Sequence, residues 1–488
     1  LQKDIGACFL FDGSTYLCDM NIKNTTILLL LIVLVNSLGA QKQISSPKIN
    51  LPADAKITGT AISGSSSAFV FHNKTSVSFY LLKDDMDIEA EVVTAMEGGS
   101  IYECALLGMK DGFYVAVTLE NTGSGERNVI LYKFNNNKLE KVSELDRQAK
   151  NGGATPVEYK VTASRNGEVL AVLAEAPQKS GENESVTLKV YKGDYQKAYW
   201  EGTYSLDFPS RRKRYNIPYA DSLGNIYMMK QHSESGGHEF HLFRFGKDLK
   251  MPVKIKLNVP GYKISEASFQ FNKAGQPVVT GFYSLIAFDL YEGYFFYRYN
   301  EALLPQVSTT DRLPEEIFTA VKYENTYKNK GLTNFFIQGN FAHQNGMICL
   351  LERQNSEVKK TKQGTEEKFF TGPVVAFHFD NNGNITRWWG VQKDNTMSDT
   401  YYSYSTLTPF NTSEHFGFLF SNADKSLTPL ESKLQNFSAG KNEVPVVVKP
   451  ETTDTDMYPV GFESVTEDRS VLVLGNKGYT TVQLLKLY

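Results

Sequence analysis

From about residue 43 onward the chain alternates short apolar runs of Val, Ile, Phe and Tyr with clusters of Gly, Asn, Asp and Ser, and no long stretch keeps an apolar residue at every third or fourth place. Runs of two-residue period bounded by turn residues predict strands, so the expectation is an all-β chain. Aligning each turn on the apolar run that follows it reveals a series. SSS precedes AFVFHN from Ala68, KDG precedes FYVAVTLE from Phe113, RNG precedes EVLAVLAEA from Glu168, and SLG precedes NIYMMKQH from Asn225. KAG then precedes QPVVTGFYS from Gln276, QNG precedes MICLLERQ from Met347, TSE precedes HFGFLFSN from His415, and EDR precedes SVLVLGNK from Ser470.

A third strand with aromatic alternation follows most of these, as in SVSFYLLK, NVILYKFN, SVTLKVYK, EFHLFRFG, GYFFYRYN, VVAFHFD and the closing TTVQLLKLY. A fourth often comes next: LEKVSEL, KAYWEGTYSL, PVKIKL and ITRWWGVQ. Four antiparallel strands recurring at intervals of roughly 45 to 70 residues predict a β-propeller of eight four-stranded blades. Two units are irregular. One is followed by a polar stretch at 311–332 with a short helix at PEEIFTAV, and another carries what reads as a Ser, Lys and Asn-rich insertion at 422–442, so seven blades is the alternative. The last unit ends after its third strand, and residues 43–51 are expected to supply its fourth, closing the ring by pairing the chain ends and removing exposed edges.

The segment before the repeats changes the picture of where the protein works. Met20 and Lys23 open a short basic region, residues 27–35 (ILLLLIVLV) are apolar, and Asn36 to Ala40 precede Gln41. This three-part pattern predicts a signal peptide at 20–40, with residues 1–19 upstream of the true start and 41–488 forming a single β-propeller domain. Nine apolar residues fall short of the roughly 20 that span a bilayer, so the expectation is a secreted or periplasmic protein with no stable membrane anchor after cleavage, a retained anchor being the alternative.

The whole sequence has 488 residues, 41% hydrophobic and 22% charged, with 51 basic and 54 acidic side chains and a formal charge of −3. So even a balance argues against nucleic acid as a partner, since phosphate neutralisation shows as a basic domain. Of four cysteines, Cys8 and Cys18 precede the export segment; Cys104 and Cys349 sit in apolar runs, where buried free thiols or one bridge are the two readings.

Candidate chemistry is sparse. The run from His232 to His241 holds His232, His238 and His241; if residues 234–237 form a hairpin turn, His232 and His238 face each other and His241 points away, leaving too few convergent ligands for a metal. Asp380 to Asn384 (DNNGN) matches neither a calcium loop nor an Asp box and predicts a tight turn. The basic run at 211–214 suits either a solvated connection or a carboxylated or sulfated ligand. No nucleophile elbow, phosphate loop or dinucleotide fingerprint occurs, so no catalytic residue, metal or cofactor is assigned.

Several strings taken together, VVTGFYS with YEGYFFYRY, CLLERQ, GPVVAFHFDNNGNITRWWGVQK, YYSYSTLTP and VLVLGNKGYTTVQLLKLY, resemble an uncharacterised family of secreted β-propeller proteins of Bacteroidota-like bacteria. The resemblance covers most of the mature chain and implies a bacterial origin and export; it implies no activity. The expected function is an exported, non-catalytic binding or scaffold propeller whose connecting loops meet a protein or glycan. Tyr283, Trp388, Trp389, Tyr401 and Tyr402 are the candidate ligand-binding residues, with packing between blades as the competing use of each. The rival is a secreted carbohydrate-active enzyme with paired carboxylates in the channel, disfavoured because YNIPYA, SFQFN and IQGNFAH, taken as channel-lining strands, lack acids.

Mass spectrometry of the exported protein should find its N-terminus near Gln41. Recovery of residues 1–19 on the mature protein would contradict both the start and the cleavage reading.

Overall fold

The computed structural model describes residues 43–149, 156–177, 181–210, 215–234, 237–285, 290–321, 331–361, 364–393, 395–398, 407–411, 415–422, 431–438, 446–448, 457–465, 469–476 and 480–487. The export segment read at 20–40 and the basic run at 211–214 lie outside them.

Among the described residues, seven four-stranded antiparallel sheets are each built from one contiguous stretch of chain. The first comprises β3 (Lys56–Ser63), β4 (Ser66–His72), β5 (Ser76–Leu82) and β6 (Ile88–Ala95). The second holds β7 (Ser100–Met109), β8 (Gly112–Glu120), β9 (Arg127–Asn135) and β10 (Lys138–Gln148), and the third β11 (Glu158–Ala163), β12 (Val169–Glu175), β13 (Asn183–Lys192) and β14 (Trp200–Pro209). The fourth holds β15 (Tyr215–Ala220), β16 (Ile226–Glu234), β17 (Gly237–Phe245) and β18 (Val253–Lys256). In the fifth are β19 (Lys263–Phe271), β20 (Pro277–Ser284), β22 (Gly293–Tyr299) and β23 (Pro305–Arg312), while β21 (Leu290–Tyr291) pairs with β24 (Leu332–Thr333) beside it. The sixth has β25 (Phe335–His343), β26 (Gly346–Thr361), β27 (Gly364–Asp380) and β28 (Ile385–Val391), with β29 (Asn395–Ser398) added against β27. The seventh is β30 (Thr408–Asn411), β31 (His415–Asn422), β32 (Glu431–Ser438) and β33 (Val446–Val448).

A terminal sheet takes β34 (Met457–Val465), β35 (Ser470–Asn476) and β36 (Thr481–Leu487) from one end of the chain and β1 (Gln43–Ser45) from the other, with β2 (Ile49–Asn50) also paired to β36. Gln43 lies opposite Leu487 and Ile49 opposite Val482. The helix read at PEEIFTAV is α1 (Glu316–Ala320).

The second strands decide the architecture. β12 and β20 are buried along their whole length, so each sheet is apolar on both faces and needs a neighbour on each side. The neighbours meet in sequence: Val70 and Phe79 against Phe113 and Val117, Leu131 against Leu170 and Val172, Leu188 and Val190 against Met228 and Phe243. Tyr227 and Leu242 then meet Phe269 and Phe295, Phe282 and Phe296 meet Phe377 and Phe379, and Leu350 and Val374 meet Phe416 and Phe418. Phe410 and Leu419 pack on Leu472 and Leu485 of the terminal sheet, and Val471 and Leu484 pack on Phe69 and Phe71 of the first. Face-to-face four-stranded sheets in chain order make this chain a β-propeller. An ionic clasp spans the last of these contacts: Lys486 Nζ donates to the Asp84 carbonyl at 2.9 Å, and Arg469 Nη1 lies 3.2 Å from Asp84 Oδ1.

The first strands of neighbouring sheets approach one another and form the inner wall, β3 beside β7, β7 beside β11, β11 beside β15, β19 beside β25 and β30 beside β34. They run in register from a common leading end. Lys160 near the start of β11 reaches Asn216 near the start of β15, whereas at the trailing ends Ser63 Oγ donates to the Met109 carbonyl and Lys110 N to the Gly167 carbonyl. Gly167 sits at φ +66, and a Cβ there would lie 2.5 Å from Lys110 N, so the turn that ties the second and third sheets admits only glycine.

Two sequence expectations are corrected. Within the stretch read as an insertion at 422–442, residues 431–438 form β32, which pairs along all of β31 with His415 opposite Ser438, a third strand whose polar composition hid it. The inner strands also begin earlier than read; β19 starts at Lys263 and includes Glu266, and β7 and β11 carry Glu103 and Glu158, so the inner wall is not poor in acids. Among the described residues Cys104 is half-buried, Cys349 is buried, and both are free thiols.

Candidate functional site

A recurring irregularity shapes the leading end. In β3, β7, β19 and β25 the pairing slips after Ile57, Ile101, Ile264 and Ile337, inserting one extra residue in each inner strand: Thr58, Tyr102, Ser265 and Gln338. A bulge bends its strand and re-aims the side chains around it. Around these strand starts Tyr102, Tyr215, Ile217 and Phe336 stand 44–51% exposed, large apolar groups open to solvent where the inner strands begin.

Beneath them lies a band of charge. Arg127 stacks on Tyr102 at 3.5 Å, pairs with Glu120 at 2.7 Å and donates to the Val157 carbonyl at 2.9 Å. Glu103 has solvent-open surface yet is ringed by protein; that enclosure raises its carboxyl above the usual range, Glu158 adds to the rise, and Lys160 and Arg127 oppose it. Lys160 Nζ bonds Glu175 at 2.9 Å and the Asn216 carbonyl at 2.6 Å, and Asn216 Nδ2 donates to Glu175 at 3.0 Å. Lys230 completes the chain, buried with Glu184 at 2.7 Å and donating to Asn216 Oδ1 at 3.2 Å. Carboxylates so tied hold the third and fourth sheets together. Across the ring, Glu266 accepts from Tyr291 Oη and, at 2.9 Å, from Ile337 N; burial raises its carboxyl while those bonds pull it down.

The histidine run folds in a register one residue away from that expected. His232 lies opposite Glu239 and Ser233 opposite His238, so His232 and His241 share a face and pack on Phe208 at ring separations of 5.1 and 4.9 Å. His238 is on the other face, with Nδ1 2.9 Å from Ser233 Oγ. The expected facing of His232 and His238 is therefore overturned, because a one-residue slip exchanges faces. Among the described residues no three His, Cys, Asp or Glu converge as a metal site. DNNGN is the β27–β28 turn, where Asp380 Oδ1 accepts from Asn382 N and Asn384 N at 2.9 Å each.

The predicted contact residues are not gathered in one place. Tyr283 is buried between the fourth and fifth sheets, its hydroxyl donating to the Asp311 carbonyl at 3.0 Å and its ring 4.3 Å from that of Tyr262; burial pushes its hydroxyl up to about 12. Trp388 packs toward the fifth sheet and Trp389 toward the seventh, on opposite faces of β28. Tyr401 and Tyr402 lie outside the described residues. Of the exposed groups that sequence reasoning missed, Tyr102 lies within and Phe336 just before an Ile-x-Gly or Ile-x-Glu signal repeated as ITG, IYE, ISE and IQG.

No family model matches this chain, and no curated protein matches it in sequence. Similarity to solved structures is distant. The WD40 domain of SCAP from fission yeast is 11% identical, with a TM-score of 0.46 over 92% of this chain and 94% of that one. The acylaminoacyl peptidase of Pyrococcus horikoshii is 10% identical, with a TM-score of 0.40 over 88% of this chain; this chain spans 60% of the peptidase's length. The β-propeller domain of the Trilobed protease from Pyrococcus furiosus is 9% identical, with a TM-score of 0.40 over 80% of this chain and 99% of that one.

Replacing Lys230 by Met should destabilise the protein by about 3–5 kcal/mol, because Glu184 is left charged and buried, and adding Glu184→Gln should restore part of that loss. Urea unfolding measures both. A Lys230→Met cost no larger than that of the exposed Lys110→Met would contradict the buried network.

Proposed function

We propose that this protein is an exported, non-catalytic recognition propeller, working in the periplasm or outside the cell and binding a protein or glycan, not nucleic acid, at the leading end of its inner strands. In this reading the ring is closed by β1 and β2 against β36. The observation that carries the proposal is the group of exposed Tyr102, Tyr215, Ile217 and Phe336 above carboxylates already engaged by lysines. Aromatic and apolar chains on a rigid strand framework are suited to contact, since little ordering is needed when a partner docks.

A second reading is favoured by Glu103 and Glu158, neighbouring carboxylates whose mutual repulsion helps raise Glu103. Paired carboxylates are the starting point of glycoside hydrolysis. The purified mature chain, assayed on a panel of glycosides and tested for retention on glycan arrays, should bind without turnover. Hydrolysis that disappears in Glu103→Gln would replace the recognition reading with the enzymatic one.

A further inference from the structure

The sixth sheet carries an arm. β26 pairs with the inner strand β25 only as far as Arg353, opposite Phe335, and then runs on to Thr361, with β27 returning beside it from Gly364. Phe335 is the first residue of β25, so the arm projects from the leading end, and residues 354–361 carry it about 25 Å further. Its two edges differ. Along β27, residues 368–371 are covered by β29, whereas among the described residues no strand covers 355–361 of β26.

The bare edge has a defined hydrogen-bonding pattern. Gln354 N donates to the Asn334 carbonyl at 2.8 Å, on the side away from β27. Backbone groups alternate in direction along an antiparallel strand, so the N–H and C=O of Ser356 and Val358 also point away from β27, out of the sheet edge. Val358 is 60% exposed, a β-branched apolar residue in the middle of that edge. A narrow ribbon is only marginally stable in water, and an uncovered edge is a template for a further strand.

We propose that two copies of this protein join at this edge, β26 pairing antiparallel with β26 about a two-fold axis at Val358. The sequence Ser356 to Lys360 (SEVKK) complements itself when reversed about that residue: Glu357 falls opposite Lys359 on both sides of the axis, and Ser356 opposite Lys360. Moving the axis by one residue either way sets Glu357 against Glu357 or Lys359 against Lys359, where like charges directly opposed are destabilising. The outward groups of Ser356, Val358 and Lys360 exchange about six backbone hydrogen bonds across the axis, closing both bare edges at once. Antiparallel arms run in opposite directions, so the leading ends of the two copies face one another. The pairing stands apart from what those ends recognise.

Sedimentation equilibrium of the purified protein tests the pairing. The contact is short for a specific interface, so a dimer with a dissociation constant of about 10–100 µM is expected. Val358→Pro deletes an outward N–H and leaves the β26–β27 bonds in place, as proline on an edge strand can, and should abolish the dimer. Glu357→Lys should weaken it at least tenfold without changing the unfolding midpoint, and combining Glu357→Lys with Lys359→Glu should recover most of that loss. A protein that stays monomeric to about 300 µM, leaving the edge to a strand of another protein, would overturn the proposal. So would a dimer indifferent to Val358→Pro and Glu357→Lys, or a charge exchange that recovers nothing. Failure of the dimer would leave the recognition reading untouched, since that reading uses Tyr102, Tyr215, Ile217 and Phe336 and not the arm.

Discussion

Each sheet of this protein is apolar on both faces, and that constraint organises the rest. A two-faced sheet in water is stable only between two others, and a linear stack always leaves two faces bare. Arranging the sheets around an axis covers every face, and the contacts between the terminal and first sheets, Val471 and Leu484 on Phe69 and Phe71, serve the same purpose as those between sheets adjacent in sequence. Here the covering face is assembled from both ends of the chain: β36 pairs with β35 on one side and with β1 and β2 on the other, and Lys486 and Arg469 converge on Asp84.

Packing by faces leaves the inner edge of each sheet as the place where chemistry can vary. The bulges after Ile57, Ile101, Ile264 and Ile337 are spread around the ring at equivalent positions, so the irregularity belongs to the repeat and not to one strand. Their effect differs with the residue supplied. Ser265 turns inward and donates to the Leu290 carbonyl at 2.9 Å, while Tyr102 turns out and receives Arg127. One backbone device thus produces structural anchors at some sheets and exposed contact groups at others.

The second and third strands were legible in the sequence because their burial on both faces makes continuous apolar runs after Gly-containing turns, as QPVVTGFYS becomes the wholly buried β20. Strands with less burial were harder. ESKLQNFS reads as a polar insertion yet is β32, since pairing to β31 fixes it irrespective of its side chains. The site was less legible for two reasons. A hairpin register shifted by one residue exchanged the partners of His232, and the alternation of faces along β28 separates Trp388 from Trp389. Lys230, set within MMKQH, looks like a solvated residue of a strand end; its burial depends on Glu184, 46 positions away, and on Asn216.

The ring depends most on its completion by the strands at 43–51, and hydrogen exchange on a chain lacking those residues tests this directly. The loss should expose the β36 edge bonded by Ser46 and Leu51, collapse protection through β35 and β36, and lower the unfolding midpoint of the whole protein, because the faces of the terminal and first sheets become bare together. Protection in β35 and β36 equal to that of the chain that retains these residues, with an unchanged midpoint, would contradict the account.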